Sequence, residues 1–265
     1  MTTISLLIIN PNSTISMTEA LKPLVADLGY PNVRVSLGLP IRRLTRVYTQ
    51  TRYTFFTAPS GPKSIDDDDD AAESAEHCLT HLLPLLDQHD GFLVTCYSDH
   101  PLTWILPKHT RKPVVGIFQA SVTTSLQVIS RDQTFGIIST GDVWERLLTN
   151  AVHEFIGTPA ENRDDLNRFA GVETTGLNAT DLHDAPAAEV HRRIKEATKR
   201  LLDRNHRGDV RAICLGCAGM VGMEKIVREA CIEKLGDANG DVVFKVVDGV
   251  KAGVGVLQGL VRGGF

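Results

Sequence analysis

The stretch VRAICLGCAGM, residues 210–220, is an apolar run whose one charge is Arg211 and which ends in Gly-Cys-Ala-Gly-Met. A strand reads this way when it lies in a parallel sheet with helices covering both faces. Seven other runs carry some or all of that pattern: ISLLIIN (4–10), VRVSLGL (33–39), GFLVTC (91–96), VVGIF (114–118), TFGIIST (134–140), FAGVETT (169–175) and VVFKVVD (242–248). Helical stretches separate them, with apolar residues recurring at three and four, as in AEVHRRIKEATKRLL (188–202). Strand–helix alternation over the whole length predicts an α/β fold with parallel sheets. Eight strands suit either a closed (β/α)8 barrel or two open four-stranded sheets, and the unequal connections admit both.

At 265 residues the chain has ample length to bury a core. Its composition is 42% apolar and 23% charged, and its net charge of -4 gives no bulk attraction to nucleic acid or to an anionic membrane. Arg42, Arg43 and Arg46 form one small basic group. No apolar run approaches a membrane-spanning length, and SLLIIN is too short and lacks the basic start of a signal peptide. Five cysteines, an odd number without a secretory signal, predict free thiols and a cytoplasmic location.

Two segments resist the alternation. PIRRLTRVYTQTRYTFFTAPSGPKSI (40–65) lacks clear periodicity and carries Tyr48, Tyr53, Phe55 and Phe56, which suggests a lid or an interface. The acidic run from Asp66 to Asp70 reads as the start of the next helix, whose positive end it suits. Five consecutive aspartates lack the spaced ligands and turn glycine of a calcium loop.

Nucleotide chemistry is unsupported, because no GxGxxG follows a strand and no GxxxxGK[ST] occurs. Cys214 and Cys217 have a metal-like spacing, but no second pair completes four ligands. Strand alternation turns Cys214 toward the core and leaves Cys217 at the strand end. Cys96 ends another strand. In open parallel sheets ligands gather at the carboxyl ends of strands. Two such thiols facing one cleft suit two-base proton exchange at a carbon, with nearby donors raising the thiolate fraction. Two buried core cysteines remain the other reading of the same residues.

INPNST (9–14), GPKSI (61–65), CYSD (96–99), IST ending at Thr140, LGCAGM (215–220) and VVDGVKAGV (246–254) occur in that order along nearly the whole chain. This series resembles the aspartate/glutamate/hydantoin racemase superfamily, and within it the hydantoin and allantoin racemase branch, fungal members included. The resemblance implies two pseudo-symmetric α/β domains, each a mainly parallel four-stranded sheet flanked by helices, with the active site in the cleft between them. The corresponding division is 1–118 plus 222–265 for the first domain and 119–221 for the second. It further implies Cys96 and Cys217 as the catalytic pair, with Asn10, Asn12, Tyr97, Ser98, Thr140, Ala218 and Gly219 at the substrate. The implied activity is racemisation or epimerisation of a small ureide, without metal or cofactor, by a self-associating protein with no nucleic-acid or membrane partner. An isomerase or lyase of the maleate isomerase or decarboxylase kind, and a ligand-binding protein that keeps the cleft, are the alternatives.

Several positions also carry plainer readings. Asn12 suits an Asx turn ended by Pro11, and Thr140 suits an N-cap for DVWERLL (142–148). The sequence departs from the hydantoin-type pattern at His100 and Pro101, where Pro-Gly is usual, and at Gln119, where a glutamate is usual. His100 reads as an exposed loop residue, or as a group that tunes Cys96 or lines the pocket, and Gln119 as a carboxylate lost from the cleft.

Overall fold

The computed structural model describes residues 2–28, 48–158, 168–204, 209–236 and 244–265. The expected strand at 33–39 and the basic group Arg42, Arg43 and Arg46 lie outside the described residues. The chain forms two open sheets rather than a barrel. The first contains β1 (Thr2–Asn10), β2 (Tyr48–Thr57), β3 (Gly91–Val94) and β4 (Val114–Gly116), in the order β2-β1-β3-β4. The second contains β5 (Thr134–Ser139), β6 (Phe169–Thr174), β7 (Val210–Leu215) and β8 (Lys245–Asp248), in the order β6-β5-β7-β8. Every pairing is parallel.

The central strands are those whose sequences are apolar on both faces. Ile4, Leu6, Leu7, Ile8 and Ile9 of β1 are buried, as are all six residues of β5. The edge strand β2 departs from expectation, because residues 48–57 of the segment read as irregular pair along β1 from Tyr48 to Thr57. Its sequence, YTQTRYTFFT, mixes threonines with aromatics, and no residue from Gln50 to Thr57 is buried. Such an edge has β propensity without a continuous apolar run.

Helices cross between the strands: α1 (Ile15–Asp27), α2 (Asp68–Leu82), α3 (Leu102–Ile105), α4 (Ile117–Val128), α5 (Val143–Phe155), α6 (Asp181–Asp184), α7 (Ala187–Asp203), α8 (Glu224–Leu235) and α9 (Gly249–Gly263). The aspartate run behaves as expected. Asp67 caps α2, its Oδ1 accepting from the Asp70 N–H at 2.9 Å, and Asp68, Asp69 and Asp70 fill the first turn. No described helix is long and apolar enough to cross a membrane.

The expected division assigned all of 222–265 to the first half, and β8 departs from it. This strand pairs with β7 from Ala212 opposite Lys245 to Leu215 opposite Asp248, so it belongs to the second sheet. The crossover through α8 returns the chain beside β7, as a parallel sheet requires. Helix α9 then packs on β3, β4 and β8, while α4, which follows β4, packs on β7 and β8. The two helices also pack on each other and lock the halves together. Gly253 permits this approach, since a Cβ there would lie 2.6 Å from Leu93 Cδ1. One apolar core accordingly runs through both sheets, from Ile8 and Leu93 through Phe118 and Val250 to Phe135 and Cys214.

Candidate active site

In both sheets the chain leaves the second strand in the order for one edge and returns across it to the other side. That reversal falls between β1 and β3, and again between β5 and β7. The carboxyl ends of the strands flanking a reversal form a crevice. Here the two crevices face one cleft, floored by Asn10 and Pro11 after β1, Thr95 to Tyr97 after β3, Thr140 after β5 and Gly216 to Gly219 after β7. Met17 and Leu21 of α1, Ser64, Ile65, Trp144 and His183 complete its walls. The empty space is about 640 Å3, counting the open mouth.

Cys96 and Cys217 both line this cleft, each two residues beyond its strand and each half-buried. Equivalent hydrogen bonds hold the two turns. Thr95 N–H donates to the Ile9 carbonyl at 2.8 Å, and Gly216 N–H donates to the Ile138 carbonyl at 2.7 Å. Gly216 must lack a side chain, because a Cβ would stand 2.7 Å from that same carbonyl oxygen. Cys217 opens a short 3-10 turn at Ala218–Met220, and its Sγ accepts from Gly219 N–H at 3.3 Å. Cys96 Sγ lies 3.3 Å from Ser98 Oγ.

Both thiols are poor acids here. Burial pushes Cys96 up to about 12 and Cys217 up to about 11. The Ser98 hydroxyl pulls Cys96 down, and the Gly219 N–H pulls Cys217 down, but neither offsets the loss of water. The Asp66 carboxylate raises both, and the charge of Cys217 raises Cys96. The expectation that local donors would enlarge the thiolate fraction is therefore reversed in the open cleft.

The model of the Asp/Glu/Hydantoin racemase family matches residues 6–257. The chain belongs to that family. It is 36% identical to an uncharacterized protein of Schizosaccharomyces pombe, over 98% of this chain and 92% of that one. It is 26% identical to a hydantoin racemase of Paenarthrobacter aurescens, again over 98% and 92%. Among solved structures the fold is similar to that of the allantoin racemase from Pseudomonas fluorescens. The TM-score is 0.74 at 21% identity, covering 99% of this chain and 92% of that one.

Within this member of the racemase family, the residues expected at the substrate have distinct settings. The Asn10 amide is engaged locally, donating to Asn12 Oδ1 and Thr18 Oγ1 at 3.0 Å and to the Thr14 carbonyl at 3.2 Å. Asn12 forms the Asx turn, its Oδ1 accepting from Thr14 N–H at 3.0 Å. Both asparagines still line the cleft. Tyr97 lines it too, with its hydroxyl 2.6 Å from Ser121 Oγ and its ring edge-on to Phe118. Ser98 lies outside the lining and touches the Cys96 thiol. Thr140, Ala218 and Gly219 are in the lining. Thr140 is not a helix cap: α5 begins after Asp142, whose Oδ1 accepts from Thr174 Oγ1 instead.

Cys214 is the packed thiol, 3.1 Å from Ser125 Oγ and fully buried, so it does not pair with Cys217 in a metal site. His100 is neither exposed, nor in the cleft lining, nor in contact with Cys96. It is fully buried, and Leu102 N–H donates to its Nδ1 at 3.2 Å. The proton therefore sits on Nε2 and points to Ser74 Oγ at 3.1 Å, and Ser74 donates to the Pro11 carbonyl at 2.8 Å. Gln119 is also away from the cleft, its Nε2 donating to Asp99 Oδ1 at 2.9 Å. Sequence reasoning did not assign Met17, Ser64, Ile65, Trp144 or His183 to the site. GPKSI was visible as a motif without a role, whereas nothing local marks His183, which stands on the four-residue α6.

Proposed function

We propose that the chain is a cofactor-independent racemase or epimerase of a hydantoin- or allantoin-like ureide, using Cys96 and Cys217 as its two bases. The observation that carries this reading is the placement of the two thiols. They occupy equivalent positions beyond equivalent strands and open onto one cleft whose lining, among the described residues, holds no Lys, Arg, Asp or Glu. A dicarboxylate or a free amino acid would meet no counter-charge there, whereas a neutral ring needs none. The names of the two bacterial relatives, a hydantoin racemase and an allantoin racemase, support the same substrate class.

In the proposed reaction one cysteine, as thiolate, takes the proton from the ring carbon and becomes a thiol. The electron pair spreads into the adjacent carbonyl, so no metal or pyridoxal group is required. The opposite thiol gives its proton to the other face and becomes the thiolate, which leaves the pair ready to run the reverse direction. In this reading Thr140 and the backbone N–H groups after the two cysteines would hold the oxygen that gains charge.

The test is proton NMR in D2O with one enantiomer of allantoin and of a 5-substituted hydantoin, subtracting uncatalysed exchange. The expected result is deuterium entering the ring carbon with loss of optical rotation. Cys96→Ser and Cys217→Ser should each lower racemisation by about 10²–10⁴-fold, the usual worth of a positioned acid or base. Full activity in both variants would sink the mechanism.

A further inference from the structure

The lining of the cleft sorts by depth. Asn10, Thr95, Thr140 and Trp144 are buried, Met17 and Ser64 are half-buried, and His183 is exposed at the mouth. Its position is set by the chain around it. Helix α6 is tied by Asn178 N–H donating to Asp181 Oδ2 at 2.8 Å and by His183 N–H donating to the Thr180 carbonyl at 3.1 Å. Leu182, 4% exposed, anchors α6 on the Cys217 turn: a Cβ on Gly219 would stand 3.2 Å from Leu182 Cδ1 and 3.5 Å from Cys217 Sγ. His183 is thus held beside the thiol turn, exposed and in the lining of the cleft.

The other polar groups near the mouth are occupied. Ser64 donates to Asp66 Oδ1 at 3.0 Å, and the Asn12 amide serves Asn10, Thr14 and Met17. Among the described residues, the His183 side chain makes no hydrogen bond or ion pair. We propose that His183 receives the substituent on the reacting carbon, and that this substituent is a neutral hydrogen-bonding arm of the urea or amide type. This inference rests on the racemase reading above.

Among the described residues, a ring held between the thiols has the buried walls of Trp144, Leu21 and Ile65 around it, and His183 is an exposed part of the lining toward which a substituent can extend. A neutral imidazole offers one N–H donor and one acceptor, which matches the C=O and N–H of a urea. A carboxylate arm is disfavoured, because the Asp66 carboxylate already acts on both thiols, and Asp66 is itself held up by burial and by neighbouring carboxylates, Asp181 among them. An alkyl arm would leave His183 in water and gain nothing from it.

The experiment measures kcat/KM for racemisation of allantoin, 5-isobutylhydantoin and a carboxyethyl-substituted hydantoin by the wild type, His183→Leu and His183→Gln. In His183→Leu the ratio of allantoin to isobutylhydantoin should fall about tenfold, mainly through KM, the size expected for one hydrogen bond. His183→Gln keeps a donor and an acceptor and should recover most of that ratio. An unchanged ratio in His183→Leu, or a wild type that prefers the carboxyethyl compound, would overturn the inference while leaving the racemase reading standing. A wild type that exchanges none of the three rings would take both down.

Discussion

A thiol that gives up its hydration is a weak acid, and its thiolate is a correspondingly strong base. That trade suits the removal of a proton from carbon, where base strength matters more than abundance. Burial raises both thiols, while Ser98 pulls Cys96 down and the Gly219 N–H pulls Cys217 down. The sign of the pH dependence follows. With both values raised, the thiolate fraction at neutral pH is small and grows about tenfold per pH unit until the lower value is reached. After subtraction of uncatalysed exchange, kcat/KM should climb without a plateau from pH 7 to pH 9. A profile already flat below pH 8 would mean that bound substrate, or a different base, sets the ionisation. Iodoacetamide should follow the same course and modify Cys96 and Cys217 before the buried Cys78, Cys214 and Cys231.

At the scale of elements, legibility tracked burial. Strands β1, β3, β5 and β7 are apolar on both faces, and each was visible in the sequence to within two residues at either end. The two thiols were legible for the same reason, since strand ends are where such sheets present ligands. The edge strand β2 and the short α6 were not, because tertiary packing rather than local pattern places them. The cleft residues Ser64, Trp144 and His183 were likewise not assigned from sequence. Gln119 shows the same limit: its identity stood out, but its partner could not be read from sequence. In the fold it joins the first turn of α4 to Asp99, three residues past Cys96, and Asp99 is already raised by burial and then by Glu154. Gln119→Glu would set a second carboxylate against the first. Because the pair is solvent-screened, we expect a loss of about 0.5–1 kcal/mol at pH 7 in urea denaturation. The paired carboxyls would have raised folded-state values, so the folded variant gains a proton as pH falls. Its deficit against wild type should therefore shrink toward pH 5, and an equal deficit at both pH values would contradict this account.

At the scale of the whole molecule the two halves repeat each other, in strand order, in the position of each cysteine and in the helices α4 and α9 that reach across to the other sheet. The repeat is broken at His100. Four residues past Cys96 stands a buried histidine, and four residues past Cys217 stands Val221. Among the described residues, only the first half has the chain from His100 through Ser74 to the Pro11 carbonyl, which binds the Cys96 loop, α2 and the β1–α1 turn together. Burial pushes this imidazole down to about 3, so it is neutral in the folded state. In the unfolded chain it titrates near 6.5. Below about pH 6.5 the unfolded state binds a proton that the folded state refuses, and stability falls as pH drops toward the folded-state value. Above that point the stabilisation is fully present. His89, also lowered by burial, adds in the same direction, whereas Asp66, Asp99 and Asp248, raised by burial, oppose it at lower pH. A comparison with His100→Gln, which keeps hydrogen-bonding capacity without a titrating ring, isolates the term. Between pH 7 and pH 5 the wild type should lose about 1–2 kcal/mol more than the variant in urea denaturation. Parallel losses would show that His100 takes up its proton in the folded state, with the bonds to Ser74 and Leu102 giving way rather than the fold.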